Sequence, residues 1–362
     1  FYKRRDLFTG IDLVFFDTAS IYFTGNGGQD LGRHGHSKDH RPDEKQMIVG
    51  MVLDSQGYPI CCEMWPGNTT DVKTLVVIAK RLQRRFGILR MCVVADRGMI
   101  SKETKEELEK QGLAYILGVR MRNTRDITPI VLAQKGFKVV YGDRGHSKSP
   151  HPLEVRETKI NGCRYILCHN PEQAQTDSQT RALIVESLKE RLKKGDKALV
   201  GNKGYRRYLT IAKTNHFVVD VDKIKEEACY DGKWVLTTNT ALPASEVALK
   251  YKQLWMVERI FRDMKTVLQT RPIFHKRDET IRGHVFCSFL AIVLRKELEQ
   301  DLEQAGHRFE WEDIKRDLKA LQETKIQDSG KTIYVRSAIQ GCCGKVFQAV
   351  GVAIPPTLKM MG

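Results

Sequence analysis

The chain has 362 residues, 60 Lys+Arg against 44 Asp+Glu, and a formal net charge of +16. Such a balance favours polyanionic partners, nucleic acid first, and the length accommodates two to three domains with ample core. The longest uncharged apolar run, residues 285–294, is too short to cross a bilayer, and no signal-peptide pattern opens the sequence. The nine cysteines are an odd number without a CxxC pair, mostly in apolar runs, and read as reduced thiols of an intracellular protein. The first residue is Phe1 rather than Met, in mid-pattern, so an N-terminal portion is expected to precede it.

Residues 11–23, IDLVFFDTASIYF, form a β-prone run interrupted by one acid, Asp17. A charge inside a central strand needs a partner or a metal. The alternative is a strand-end turn in which Asp17 pairs locally with Thr18 or Ser20. A glycine-rich polar segment follows over 24–46, carrying His34, His36 and His40. It reads as a solvated loop that brings Arg33, Lys38 and Arg41 near phosphates, since no second cluster supports a zinc site. Residues 46–54 and 58–64 are two β runs across Ser55-Gln56-Gly57, a hairpin signal. The segment 66–71 then turns into a helix with apolar positions at Val72, Leu75, Val76, Ala79, Leu82 and Phe86, ended by Gly87.

Met91 to Ala95 is a buried-strand pattern with Asp96 at its carboxyl end, where open α/β sheets keep their sites. A plain turn-forming Asp is the competing reading. Ser101 starts a charged helix, and 114–119 supplies another strand. The pattern then loosens over 120–232, with short β runs at 137–141, 165–168 and 217–221. The stretch 181–213 holds ten Lys+Arg against three Asp+Glu. In it Lys193, Lys194, Lys203, Arg206 and Arg207 lie beside Tyr205 and Tyr208, a composition suited to a phosphate backbone or to a solvated helix face.

The stretch 233–265 reads as strand, turn and one uninterrupted helix from Glu246. On that helix Tyr251, Leu254, Glu258, Arg262 and Lys265 recur at steps of three or four and so share a face. A long helix from about Thr280 follows, then a tail of helix, short strand and Gly/Pro-rich end. Asp17, Asp96 and Glu258 together make a carboxylate set for two divalent ions about 3.5–4 Å apart, with magnesium favoured by hard oxygens. Arg262 and Lys265 on the Glu258 face are placed to hold a phosphodiester.

The order Asp17, Asp96, Glu258, with Tyr251 and Lys265 spaced about the last acid, resembles the DDE transposases of bacterial insertion sequences. It is most similar to the group with a Tyr/Arg/Glu/Lys signature at the third acid. GHSKDHRPDEKQ (35–46), VVADRGM (93–99) and RPIFH with IRGHVF (271–286) carry the likeness across nearly the whole chain. The resemblance implies an α/β, ribonuclease H-like catalytic core, a mixed sheet flanked by helices. That core would occupy 1–119 and 233–300, interrupted by a largely β insertion domain over 120–232 and followed by a helical C-terminal region over 301–362. It also implies two Mg²⁺ or Mn²⁺ ions on Asp17, Asp96 and Glu258, cleavage at the element's ends and strand transfer into target DNA. Tyr251 and Lys265 would contact end DNA, and a homodimer in the nucleoid would synapse the two ends. One departure stands out: Leu254 takes the place of the signature's Arg, with Arg262 as the nearest substitute. A nuclease without strand transfer and a decayed copy that only binds DNA are the other readings.

Overall fold

The structure, a computed structural model, describes residues 13–86, 91–122, 127–132, 136–141, 152–195, 203–211, 216–328 and 331–361. The apolar run around Asp17 forms β1 (Leu13–Tyr22), buried along its length except at Asp17 and Tyr22, which are half-buried. β2 (Gln46–Leu53), buried throughout, and β3 (Pro59–Pro66) make the expected hairpin. Its turn is fixed by Asp54, whose Oδ1 accepts from the Gln56 and Tyr58 amides at 2.8 Å each.

β2 runs antiparallel to β1. α1 (Asp71–Phe86) then leads to β4 (Cys92–Ala95), and after a 3-10 turn (Arg97–Met99), α2 (Lys102–Lys110) leads to β5 (Ala114–Val119). β1, β4 and β5 are parallel neighbours, which is why a crossover separates them in sequence. The Leu75, Ile78, Ala79 and Leu82 stripe of α1 packs with Leu108 of α2 on Val14, Phe16, Val93, Ala95 and Leu117. Ser101 caps α2 by accepting from the Thr104 amide at 3.0 Å. Gly87, expected to end α1, lies outside the described residues.

After α3 (Thr128–Leu132) come β6 (Lys138–Tyr141), β7 (Pro152–Ile160) and β8 (Cys163–His169), and these do not form a sheet of their own. β11 (Lys233–Thr238) is flanked by β5 on one edge and β8 on the other. Among the described residues one sheet therefore runs β3-β2-β1-β4-β5-β11-β8-β7-β6. The physical reason is that a buried β11, with Val235 and Leu236 at 1% and 0% exposure, must have both rows of backbone groups paired, and β8 supplies the second row. Between β8 and β11 lie α4 (Pro171–Lys193), α5 (Lys203–Arg206), the ribbon β9 (Leu209–Ile211) with β10 (Phe217–Val219), and α6 (Val221–Ala228). They share a small core of Leu188, Tyr205, Tyr208 and Leu209. The predicted run 217–221 stops at Val219 because Asp220 caps α6, accepting from the Asp222 and Lys223 amides at 3.0 and 3.1 Å.

The predicted single helix from Glu246 is two, α7 (Ala244–Lys252) and α8 (Trp255–Thr266). The chain falls into two compact units, Phe1–Arg262 with Pro272–Phe274, and Asp263–Arg271 with His275–Gly362. The second unit begins within α8. Besides α9 (Asp278–Gln304), α10 (Trp311–Ala320) and α11 (Cys343–Ala349) it contains a three-stranded sheet of β12 (Glu323–Asp328), β13 (Lys331–Arg336) and β14 (Leu358–Met361). Its core gathers Leu302, Ile314, Cys342 and Val346.

Candidate active site

The last paired couple between β1 and β4 is Phe16 with Ala95. The next residues along each strand are Asp17 and Asp96, so the parallel register sets the two acids side by side. Each lies one step past a side chain committed to the core, Phe16 and Ala95 being fully buried, so the pleat turns both acids to the opposite face.

Asp17 has an Oδ1 that accepts from the Thr18 amide at 2.7 Å. That local bond belongs to the turn-former alternative, yet β1 continues for five more residues and Asp17 ends nothing. Burial pushes its pKa up to about 6, while the charge of Lys38 and the Thr18 amide bond pull the other way and the carboxylates of Asp96 and Asp71 add to the rise. Asp96 is exposed. It precedes the 3-10 turn without a side-chain capping bond. Its Oδ1 instead accepts from the Tyr251 hydroxyl at 2.8 Å, which argues against a mere turn residue.

Tyr251 comes from the last turn of α7, a helix packed on β4, β5, β7 and β8. Burial, then the Asp96 charge and hydrogen bond, raise its pKa and keep it a neutral donor. The hydroxyl reaches Asp96 because β5 carries Gly118 at the point of passage: a Cβ there would lie 2.4 Å from Tyr251 Oη and 2.9 Å from the Arg97 amide nitrogen.

Two further residues join the pair that sequence reasoning had placed elsewhere. Asp71, the last residue of the segment read as a turn into a helix, accepts from the Thr18 hydroxyl at 2.6 Å. Lys38, read as a solvated phosphate contact, donates from Nζ to Thr18 Oγ1 and to the Thr18 carbonyl, both at 2.8 Å. It also pairs with Asp71 Oδ2 at 3.1 Å. No local pattern signals this triad, since its members come from three separate segments. His34, His36 and His40 are exposed.

The signature residues beyond Tyr251 stand otherwise. Leu254 is buried at 8% exposure in the joint between α7 and α8. There the amide bonds shorten to three-residue steps, Gln253 to Lys250, Leu254 to Tyr251, Met256 to Gln253 and Val257 to Leu254. This break takes Tyr251 and Glu258 off a common helix. Glu258 and Arg262 lie on the exposed side of α8, and Lys265 is half-buried near its end. Val257, Ile260, Phe261 and Met264 fill the buried side of α8. The structure brings Asp17, Asp96 and Tyr251 together. Among the described residues no three His, Cys, Asp or Glu side chains converge closely enough to hold a metal by themselves.

In the basic stretch, Lys193 is in the last turn of α4 and pairs with Glu190 at 2.6 Å, and Lys194 is the C-cap; both are exposed. Exposed Arg207 lies 3.6 Å from Glu227 and over the Tyr208 ring. Lys203 and Arg206 occupy α5, and their side chains lie outside the described residues. The aromatics do not interleave as a surface: Tyr205 and Tyr208 are 8% and 4% exposed and belong to the core.

Two carboxylates on neighbouring strands form a hard-oxygen pair. It fits magnesium or manganese, ions that need only one or two protein carboxylates and complete their shell with water and phosphate. Asp17, half-buried beside Asp96 and Asp71, gains from a cation alongside.

A family model described as "Transposase DDE domain" matches residues 9–294. No curated protein matches the chain by sequence. A solved structure titled "Cryo-EM structure of piggyBac transposase synaptic complex with hairpin DNA (SNHP)" aligns at 13% identity and a TM-score of 0.44, covering 83% of this chain and 49% of that one. The chain thus spans about half the length of that protein. With most of its length matched by the family model, the chain belongs to the DDE-domain transposases.

Proposed function

We propose that the chain is a DNA transposase of the insertion-sequence type with a ribonuclease H-like core, cutting DNA at the element's ends and joining the freed ends to a target. The observation that carries this reading is the juxtaposition of Asp17 and Asp96 at the β1/β4 register, with Asp96 held by Tyr251. Asp17 and Asp96 would hold Mg²⁺ or Mn²⁺, and Glu258, assigned by its place in the signature, is the third ligand. Such ions, when bound, acidify an attacking hydroxyl and stabilise the leaving oxygen of an in-line displacement. The chain's own part is to fix the carboxylates. β1 and β4 set their spacing, the Thr18 amide orients Asp17, and the Tyr251 hydroxyl orients Asp96. Lys193, Lys194, Lys203, Arg206 and Arg207, with Arg262 and Lys265 near Glu258, are assigned to the DNA phosphates. A dimer would hold two ends for the joining step.

In the first step water attacks the phosphodiester at the element's end and the phosphorus–O3′ bond breaks. In the second the released 3′-hydroxyl attacks a target phosphodiester and displaces its O3′. The test is incubation of the protein with Mn²⁺ and duplex DNA carrying the element's ends, beside an Asp96→Asn variant. Cleaved and joined products from the parent, and at least about a thousandfold less from the variant, are expected from loss of a metal ligand. Cleavage without joining selects a nuclease, salt-sensitive binding without cleavage a decayed copy, and cleavage that survives in Asp96→Asn overturns the acid pair.

A further inference from the structure

The loop GHSKDHRPDEKQ between β1 and β2 is the stretch whose role the acid pair leaves unexplained. It does not stand free in solvent. Arg33 and Gln46 exchange backbone hydrogen bonds at 3.1 and 3.0 Å. Gln46, 1% exposed, donates from Nε2 to the carbonyls of His36 and Gly67, both at 3.0 Å. Gly35 passes so close to the Gly67 carbonyl that a Cβ there would lie 2.0 Å from its oxygen. The Lys38 amide then donates to Ser20 Oγ at 3.0 Å. The loop is thus stapled to the sheet on both sides of Lys38.

The staple delivers one ammonium group to one residue. Lys38 Nζ spends its three hydrogens on the Thr18 carbonyl, the Thr18 hydroxyl and Asp71, which is the full capacity of an ammonium. Thr18 is 2% exposed, and its hydroxyl passes its own hydrogen to Asp71 at 2.6 Å. Thr18 is therefore held at carbonyl and hydroxyl, and its remaining polar group, the amide, orients Asp17. An ion pair whose side chains keep 31% and 22% of their exposure adds little stability on its own. A loop built so closely to bring it there points to a role in the site.

We propose that Lys38, acting through Thr18 and Asp71, is a positioning residue that holds Asp17 in the orientation in which it takes a divalent cation. This rests on the reading of Asp17 and Asp96 as metal ligands, and it removes Lys38 from the phosphate-binding set. Charge and geometry make opposite predictions for its removal. Lys38→Met leaves Asp71 uncompensated beside Asp17, and the added negative charge alone would tighten divalent binding. Loss of positioning loosens it.

The experiment measures Mn²⁺ binding to the full chain by the electron paramagnetic resonance of free Mn²⁺, together with cleavage of end-bearing DNA. The proteins compared are the parent, Lys38→Met, Lys38→Arg, Thr18→Val and Asp96→Asn. Lys38→Met and Thr18→Val are expected to weaken Mn²⁺ binding about tenfold or more, as outer partners of metal ligands do, with a matching fall in cleavage and most of both restored in Lys38→Arg. Should Lys38→Met melt below the assay temperature, Thr18→Val, nearly the same in volume, decides the question. A parent that binds and cleaves while these variants bind Mn²⁺ as tightly or more tightly overturns this proposal alone. A parent that binds no Mn²⁺, or binds it equally with Asp96→Asn, overturns the underlying reading and this proposal with it.

Discussion

An acid in the middle of an apolar strand is the most legible residue of this sequence, and its burial works against the stability of the fold. Asp17 has its pKa raised to about 6, first by burial, with Asp96 and Asp71 adding to it. Between the ordinary carboxylate range and that value, the folded chain keeps a proton the unfolded chain has released. Stability from this group is therefore greatest at low pH, declines as pH rises through the window, and is flat above it. In chelator at pH 7.5, Asp17→Asn is expected to raise the melting temperature by about 2–4 °C. Mn²⁺ should stabilise the parent at pH 7.5, less as pH falls below about 6 where protons compete, and not stabilise the variant. Melting curves with and without Mn²⁺ across about pH 4–8, which takes in the decline from the ordinary carboxylate range to about 6 and the flat region above it, check all three. Gly118 was illegible because its meaning lies in a residue far along the chain. Gly118→Ala is expected to displace the Tyr251 hydroxyl, since the new methyl group would sit 2.4 Å from it. Cleavage should fall about tenfold, as with Tyr251→Phe, and the double variant should be no worse than either single one, because both remove the same hydrogen bond. Additive losses in cleavage rate would separate the two residues.

At the scale of elements, legibility followed whether the signal was local. The hairpin at 46–66, α1 and the β4 strand were readable because turn residues and apolar spacing sit within their own segments. The β7–β8 hairpin had a signal that went unread: Asn161 and Gly162 both take positive φ, 50° and 77°, in a two-residue turn closed by Ile160 and Cys163, as Asn-Gly favours. α4 likewise starts with an Asn170 cap followed by Pro171. The break between α7 and α8 had no such signal, since good helix formers run through it. Tertiary contacts decide it: Tyr251 is held at Asp96 and Leu254 is buried. Restoring the signature with Leu254→Arg therefore does not restore a phosphate contact. It forces a cation into an apolar joint, and destabilisation of about 2–4 kcal/mol is expected, read as a lower urea midpoint with no gain in DNA affinity. A variant as stable as the parent that binds DNA more tightly would mean that the joint opens and the helix re-forms as one.

At the scale of the whole molecule, a net charge of +16 favours a polyanionic partner without saying how it would be held. The arrangement of the basic stretch narrows the mode. Tyr205 and Tyr208 are committed to the small core beneath α4, so bases have no aromatic faces to stack on there, and what the stretch offers outward is charge. Lys193 has an acidic neighbour on exposed ground, Glu190, whereas exposed Arg207 lies beside Glu227, a half-buried residue that is already paired with Arg122. A surface pair such as that of Lys193 is weak enough for a phosphate to displace. In the proposed function, DNA binding through this region is governed by counterion release, with the logarithm of affinity falling about 0.9 per phosphate contact for each decade of salt. The triple variant Lys193→Ala/Lys194→Ala/Arg207→Ala is expected to bind duplex DNA of any sequence less tightly. Its salt slope should be shallower by about 2–3, measured by fluorescence anisotropy between roughly 50 and 200 mM salt, the range over which that release dominates. Asp96→Asn, assigned to chemistry rather than to the backbone, should keep the parent's slope within about one phosphate equivalent. If the triple variant also keeps it, the stretch is a solvated helix face and the phosphates are held elsewhere. If affinity falls for one sequence alone while the slope stays, the contact is to bases, and the buried tyrosines would have to leave their core to make it.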